Sequence, residues 1–330
     1  LDKLSQRFLA EILYGFIQRD YKKIAEVHIV ANLVPKDVSV DDFAKPWKKG
    51  GGFKDFLGKL PNILAGDHLK DVISSVVSAF FEKRTIVFGL GAHVIKVGLN
   101  PVVIDLMKRG VVSAIALNGA GIIHDLELAM TGKTSEDVTA SIENGTFGMA
   151  SETCNFLNDA VQKTKNGTNG LGQGVGRHIL EKNLPFFEKS ILATGARLGI
   201  PVTVHVAIGT DIIHMHPGFD AGKTGEASHR DFMTFTSVIA TLERGVYLNI
   251  GSAVILPEVF LKAVALARNL GHQLNKFTTV NMDFNRHYRP LTNVVDRPTS
   301  KGGKGFNLVG HHEIMLPLIA AGIIEELKGS

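Results

Sequence analysis

The sequence is short of sulfur. Cys154 is the only cysteine in 330 residues, so no disulfide forms within the chain, and the composition fits a reducing, cytoplasmic compartment. No apolar run reaches the roughly 18 residues that a membrane-crossing helix needs, which predicts no membrane span. An excess of one charge is also missing: 36 Lys and Arg face 32 Asp and Glu, a net +4. The lysines fall in scattered pairs without interleaved aromatics, which predicts no nucleic-acid partner. The opening stretch carries Asp2, Glu11 and Asp20 inside a helical apolar pattern, which argues against a secretory leader. Two phosphate motifs are incomplete. Gly89 and Gly91 begin a dinucleotide fingerprint, but the third glycine would fall on Val94, and no acidic residue closes the next strand. Gly222, Lys223 and Thr224 suggest a phosphate loop, yet its leading glycine would fall on Pro217. There is no internal repeat and no low-complexity linker.

What is present is a chain 45% hydrophobic and 21% charged, with ample material for a large core. Its most informative stretch runs from Arg84 to Ile123. A β-branched run, Thr85 to Phe88, stops at Gly89 and Gly91. Apolar residues at helical spacing follow over Val94 to Met107, and a second apolar run, Val111 to Leu117, ends in Asn118, Gly119, Ala120 and Gly121. Two short apolar runs joined by a helix of this length make a βαβ unit with parallel strands. Ligands of such units sit beyond the carboxyl ends of the strands, where both glycine turns lie.

Three more strands are predicted over Ile200 to Ile208, Val246 to Ile250 and Phe277 to Asn281, separated by helical patterns over Met233 to Leu242 and Pro257 to Leu270. Five strands alternating with helices predict an α/β fold with a doubly wound, mostly parallel, Rossmann-like sheet. Amphipathic stretches over Leu4 to Ile17 and Asp20 to Ala31 precede it. The expected division is a helical N-terminal extension, 1–75, and a Rossmann-like domain, 76–330. Asn166 to Gly176 reads as a mobile glycine-rich loop over a site.

Histidines gather near the predicted strand ends. His124 and Asp125 follow the second strand; His205, Asp211, His214 and His216 lie on the third and just beyond; His287, His311 and His312 come later. Parallel strands would bring all of them to one rim. A His-x-His pair near Asp suits zinc or iron, so His205, Asp211, His214 and His216 form a candidate metal set. The same imidazoles suit acid–base work, and singly each suits a loop histidine bonded to backbone. Asp125 and Glu127 also fit as caps of the following helix. Lys304, flanked by glycines, fits a solvated loop lysine, an imine-forming one, or, with Lys301, a loop that holds an anion. Arg286, Arg289 and Arg297 fit either an anionic substrate or solvent.

The chain resembles the deoxyhypusine synthase family. The stretch Phe88 to Gly98 is similar to that family's first cofactor loop, and Ser113 to Leu126 to its strand, glycine turn and acidic pair. Ile200 to Val202 with Asp211, Ile250 to Ile255, and Met315 to Leu318 extend the similarity. The resemblance implies a Rossmann-like fold, a homotetramer, bound NAD, and oxidation of an amine followed by aminoalkyl transfer through a lysine imine. Carried over residue by residue, it implies Lys304, His124, Asp125 and Asp211 as catalytic groups. It implies Gly89, Gly91, Asn118, Gly119, Gly121, Gly251, Ser252, His311 and His312 as the NAD site. The chain departs from the family in having Leu117 and Asn118 for two threonines, Ile123 and His124 for the acidic pair, and a basic segment, Asp283 to Arg289, for the acidic loop that grips a polyamine. A site that has exchanged carboxylates for Arg and His is expected to take a different small substrate. The expectation is therefore an NAD-dependent transferase of deoxyhypusine synthase type. The alternatives are a metal-dependent hydrolase or lyase and a non-catalytic binding protein on the same fold.

Overall fold

Short apolar runs bounded by glycine become the strands of one sheet. The structure, a computed structural model, describes residues 38–163 and 169–327. The strands are β1 (Ile86–Leu90), β2 (Ala114–Asn118), β3 (Val202–His205), β4 (Val246–Ile250), β5 (Thr278–Asp283) and β6 (Lys304–Val309). They lie in the order β3-β2-β1-β4-β5-β6, every neighbouring pair parallel. Strands β1 to β5 are buried along nearly their whole length, as a parallel sheet covered on both faces requires. This is the doubly wound, Rossmann-like α/β architecture that the alternation of apolar runs predicts. The sixth strand is a correction to the five expected. Lys304 to Val309 is an edge strand with half its residues exposed, so it carries no continuous apolar run.

By its internal contacts the chain divides into Leu1–Phe43 and Ala44–Ser330. The described part of the first unit holds a 3-10 turn, Val40–Asp42, closed by reciprocal caps from Ser39 and Asp42. The helices expected over Leu4 to Ile17 and Asp20 to Ala31 lie outside the described residues. The sheet belongs to the second unit. There α1 (Phe53–Leu57) and α2 (Leu64–Phe81) lead into β1, and α3 (Ala92–Lys96) and α4 (Asn100–Lys108) join β1 to β2. The connection from β2 to β3 holds α5 (Gly119–Thr131), α6 (Val138–Glu143), α7 (Ser151–Lys163), α8 (Leu171–Glu181) and α9 (Ile191–Leu198). Next come α10 (Ala221–Ile239), α11 (Ile255–Asn269), a crossover of helical turns over 288–299, and α12 (His312–Leu327). Among the described residues no helix is long and apolar enough to cross a membrane.

Two apolar layers flank the sheet. Phe88, Leu90, Ile115, Leu117, Leu248, Ile250 and Val280 point into the larger one, with α2 to α5, α7 to α9 and α12. Val87, Ala114, Ala116 and Tyr247 point into the smaller one, with α10 and α11. The single helix expected over Val94 to Met107 is broken in two: Gly98, at φ +78°, ends α3, and Pro101 opens α4. The glycine-rich stretch expected to be a mobile loop is helical from Leu171 onward. Its glycines serve close packing: a Cβ on Gly172 would lie 2.0 Å from the Val202 carbonyl oxygen, and one on Gly176 would lie 2.3 Å from that of Leu192.

Two buried carboxylates fasten the long β2–β3 connection. Asp125, on α5, is fully buried and accepts hydrogen bonds from the Ser190 hydroxyl (2.5 Å), the Ile191 and Leu192 amides (2.8 and 3.1 Å) and the Asn100 side chain (2.9 Å). It thus caps α9, a distant helix, and not the helix that follows it in sequence. Asp231, on α10, accepts from the Gly172 amide (2.9 Å) and from the Val204 amide on the edge of β3 (2.8 Å). Burial pushes Asp125 up to about 6 and Asp231 up to about 7, against the hydrogen bonds, which favour the anions.

Asp125→Ala leaves four buried donors without an acceptor and is expected to cost about 3 kcal/mol or more in urea unfolding. A loss below 1 kcal/mol would contradict the capping role. The raised Asp231 pKa means that the folded state holds its proton where the unfolded chain has released it. Its contribution is therefore full below about pH 4 and lost as pH rises towards about 7, at about 1.4 kcal/mol per pKa unit. Asp231→Asn keeps an acceptor for both amides but removes the titration. Melting curves collected between pH 4 and 8 should show a flatter pH dependence for this variant than for the parent chain.

Candidate functional site

The strand order reverses between β1 and β4, so the chain leaves these two neighbouring strands in opposite directions and opens a crevice at their carboxyl ends. Gly91 and Gly251 form its floor. The Gly91 amide donates to the Ile250 carbonyl at 2.8 Å, and a Cβ on Gly91 would lie 2.0 Å from the Gly251 carbonyl oxygen. Gly251 takes φ +69°, and a Cβ there would meet His312 Nε2 at 2.8 Å. The Ser252 hydroxyl accepts from the Leu256 amide at 3.2 Å and so caps the start of α11.

Four rings stand at this end of the sheet. His93 lies 5.6 Å from His312 and 5.7 Å from Phe284, centroid to centroid; Phe284 stands perpendicular to His312 and is stacked on His311 at 6.1 Å. His312 is fully buried, with neither ring nitrogen in a hydrogen bond. Burial lowers its pKa, which the nearby Asp283 carboxylate only partly offsets, so the ring is neutral at pH 7. His311 is two-thirds exposed.

The neighbouring part of the rim is built on the start of α5. Asn118 caps that helix, its side-chain oxygen accepting the Gly121 amide at 2.9 Å. Gly119 leaves room for Asp211, whose Oδ2 would lie 1.9 Å from a Cβ at that position. The Asp211 carboxylate therefore sits against the positive end of α5. Beyond it opens a cavity of about 200 Å³, lined among others by Lys96, His124, Glu127, Glu136, Phe147 and Asp211. The Asp211 and His214 side chains are 6% and 4% exposed, and Asp211 Oδ2 and His214 Nε2, 4.0 Å apart, lack hydrogen-bond partners. Burial raises the Asp211 pKa, with His214 and Thr210 pulling it back.

His124 Nδ1 lies 2.7 Å from the Thr134 hydroxyl and 3.3 Å from Glu127 Oε2, and that hydroxyl donates to Glu127 at 2.5 Å. Burial raises the Glu127 pKa, but the bonds from His124 and Thr134 outweigh it and hold the carboxyl below its ordinary value.

Several expected site residues lie elsewhere. Gly89 sits inside β1, and its missing side chain makes room for the Tyr247 hydroxyl, 2.4 Å from where a Cβ would be. Lys304 opens β6, paired with Thr278, so it lies at the amino edge of the sheet, about 16 Å of strand from the rim. It is exposed there and not part of the site. The four-residue metal set is not assembled. His205 is buried, bonded to the Thr203 hydroxyl at 3.0 Å and pushed down to about 3 by burial. Ile212–Met215 is a 3-10 turn and not extended, so His214 and His216 do not share a direction; their Nδ1 atoms accept local backbone amides. Among the described residues no three His, Cys, Asp or Glu side chains could hold one metal. Arg289 pairs with Glu258, and Arg297 bonds Asn293. Asp125 is buried behind the rim in its capping role.

Sequence reasoning passed over three groups that the fold brings together: His93 and Phe284 in the ring cluster, Thr134 beside His124, and a ladder of asparagines on adjacent strands. In that ladder Asn249 donates to Asn281 and Asn281 to Asn307, each at 2.8 Å. The ladder had a signal, since an asparagine interrupting an apolar strand is uncommon.

An open parallel sheet with a switch-point crevice is the class that fold and site define. No protein-family model matches the chain. Over 43 residues it is 46% identical to a probable protein kinase UbiB of Serratia proteamaculans, a stretch that is 13% of this chain and 8% of the kinase. Among solved structures, AgrE in a ternary complex with ornithine and NAD+ matches with a TM-score of 0.53 at 14% identity, over 79% of this chain and 33% of that one. A conserved putative LOR/SDH protein from Methanococcus maripaludis S2 matches with a TM-score of 0.51 at 17% identity, over 81% of this chain and 71% of that one. A putative deoxyhypusine synthase from Entamoeba histolytica gives 0.48 at 12% identity, over 86% and 96%. At such identities the AgrE and LOR/SDH matches establish a shared fold. The chain spans less than a tenth of the kinase and about a third of AgrE.

Gly91→Ala forces a methyl group into the Gly251 carbonyl, where backbone must move on both strands. Thermal unfolding should register a loss of about 1–3 kcal/mol or more. An unchanged melting temperature would mean that β1 and β4 do not meet as described.

Proposed function

We propose that the chain is an NAD-dependent enzyme of the deoxyhypusine synthase type, acting on a small amine-bearing substrate at the carboxyl rim of the sheet. One observation carries the cofactor reading: the crevice at the β1–β4 reversal is floored by Gly91 and Gly251 with no room for side chains, and it lies beside the start of α5. Such backbone suits the close approach of a dinucleotide, and a helix start suits its phosphates. Gly91, Asn118, Gly119, Gly121, Gly251 and Ser252 would hold NAD, with the neutral His312 behind Gly251. When bound, NAD would accept a hydride from the substrate carbon next to nitrogen. The fold shared with AgrE, which binds ornithine and NAD+ in a ternary complex, supports the same reading.

The transfer half of the family chemistry needs a lysine at the rim. Lys304 does not reach it, so this chain's activity is proposed as amine oxidation without transfer through Lys304. A homotetramer remains part of the proposal. Ile208 and Val254, 58% and 50% exposed beside the groove between α10 and α11, are the kind of surface that such an assembly would cover.

Calorimetry with NAD is expected to give binding in the micromolar to millimolar range. Amide exchange at Gly91, Gly119 to Gly121, Gly251 and Ser252 should slow about tenfold or more on saturation. No heat and no protection at several millimolar NAD would sink the cofactor reading.

A further inference from the structure

The cavity beside the start of α5 gathers Asp211, Glu127 and Glu136 against one ammonium, that of Lys96. Two of the three carboxylates have partners: Glu127 holds Thr134 and His124, and Glu136 accepts the Gly148 amide at 3.1 Å. Asp211 differs. Its Oδ2 is buried with no hydrogen bond, and His214 at 4.0 Å is too far to supply one. A buried carboxylate oxygen left without a donor, on a residue that lines an acidic cavity, selects a donor that carries positive charge.

The tautomer of His124 follows from its neighbours. Glu127 is ionised and can only accept, so the Thr134 hydroxyl gives it its hydrogen. The Thr134 oxygen is then left to accept from His124, which places a proton on Nδ1 and a lone pair on Nε2. That arrangement is an oriented base: a carboxylate and a hydroxyl fix the ring, and its other nitrogen is free for a ligand of the cavity that His124 lines.

We propose that His124 is a catalytic base, held in its accepting tautomer by the positioning residues Thr134 and Glu127, which takes a proton from an ammonium group anchored by Asp211. The proposal rests on the amine reading above. In the step, one N–H bond of the ammonium breaks and its electron pair stays on nitrogen. The proton bonds to Nε2, giving an imidazolium that Glu127 stabilises and a neutral amine whose lone pair can assist hydride loss from the adjacent carbon. The charged groups facing the ring are Glu127 on its own helix, Glu136 on the following loop, Lys96 from α3 and Asp211 from the loop after β3.

Three measurements test this. Nitrogen-15 spectra of NAD-free protein at pH 8 should show His124 protonated at Nδ1, and Thr134→Val with Glu127→Gln should mix the tautomers. Calorimetry without NAD should show n-butylammonium binding at least about tenfold tighter than butyrate, a preference lost in Asp211→Asn. With NAD and n-butylamine, His124→Gln should lower kcat about 10²-fold or more and keep ammonium affinity within about threefold. An Nε2–H tautomer in the parent protein, butyrate binding as tightly as butylammonium, or full activity in His124→Gln would each overturn the proposal. If Asp211→Asn fails to fold, the ammonium–butyrate comparison on the parent chain decides the anchoring. The first two arms use no NAD, so absence of NAD binding refutes the cofactor reading while they still report on His124 and Asp211.

Discussion

The fold turns on the close approach of Gly91 to Gly251. These residues end the two strands from which the chain departs to opposite faces, and the Gly91 amide bonds the last residue of β4. A side chain on Gly91 would occupy the Gly251 carbonyl, and one on Gly251 would press on His312. With both absent, β1 and β4 stay paired to their last residues, from Ile86 with Val246 to Leu90 with Ile250. The same absence leaves bare backbone at the rim. One steric fact therefore sets the sheet's register at its centre and the place where a ligand can approach it.

The two faces of the sheet are unequal in polarity. The larger layer receives Phe88, Leu90, Leu117 and Ile250, whereas Asn249, Asn281, Thr279 and Thr203 lie buried among the strands' other side chains. The ladder from Asn249 through Asn281 to Asn307 joins β4, β5 and β6 at one register level, and Asn249 also donates to the Ser252 carbonyl at 2.9 Å. Each such bond replaces a water contact and gains only about 1 kcal/mol, while an unmet polar atom costs more. Asn249 Oδ1, Thr279 Oγ1 and the Tyr247 hydroxyl are left unmet, although Tyr247 is stacked 3.9 Å from Phe260. Stability alone would favour apolar residues here. What the ladder adds is direction: it ties the turn after β4, at Ser252, to the two strands that carry Phe284, His311 and His312 at their ends.

Much of this was legible in the sequence because fully buried parallel strands announce themselves. β1, β2 and β4 are mostly apolar runs of five residues and β5 a β-branched one, each stopped by glycine or polar residues, and reading them fixed the class of fold. β6 escaped because an exposed edge strand has no such run; Lys304, Gly305 and Asn307 look like loop. The glycines of α8 misled for a related reason. Glycine signals freedom in a local reading, but Gly172 and Gly176 are there so that a helix can lie against the Val202 and Leu192 carbonyls, which only tertiary structure reveals. Asp125 was legible as a cap but not as a cap of α9, since its target lies 66 positions away in sequence.

The histidines show why residue type and approximate position underdetermine chemistry. His205 ends a strand and turns inward, where burial holds it neutral beside Phe235. His214 and His216 spend their Nδ1 lone pairs on loop amides, because a 3-10 turn brings those amides within reach. His312 opens a helix and is enclosed by Gly251, His93 and Phe284, which leaves it uncharged. A metal would have required several of these lone pairs to converge, and the backbone had already claimed two of them. His124 alone of this group sets its Nδ1 against a hydroxyl that is itself committed to a carboxylate. The difference lies in Thr134, ten residues on, brought back by the turn after α5 at Gly132, φ +71°. The chemistry of the rim thus depends less on how many imidazoles the chain carries than on which neighbour decides where each proton sits.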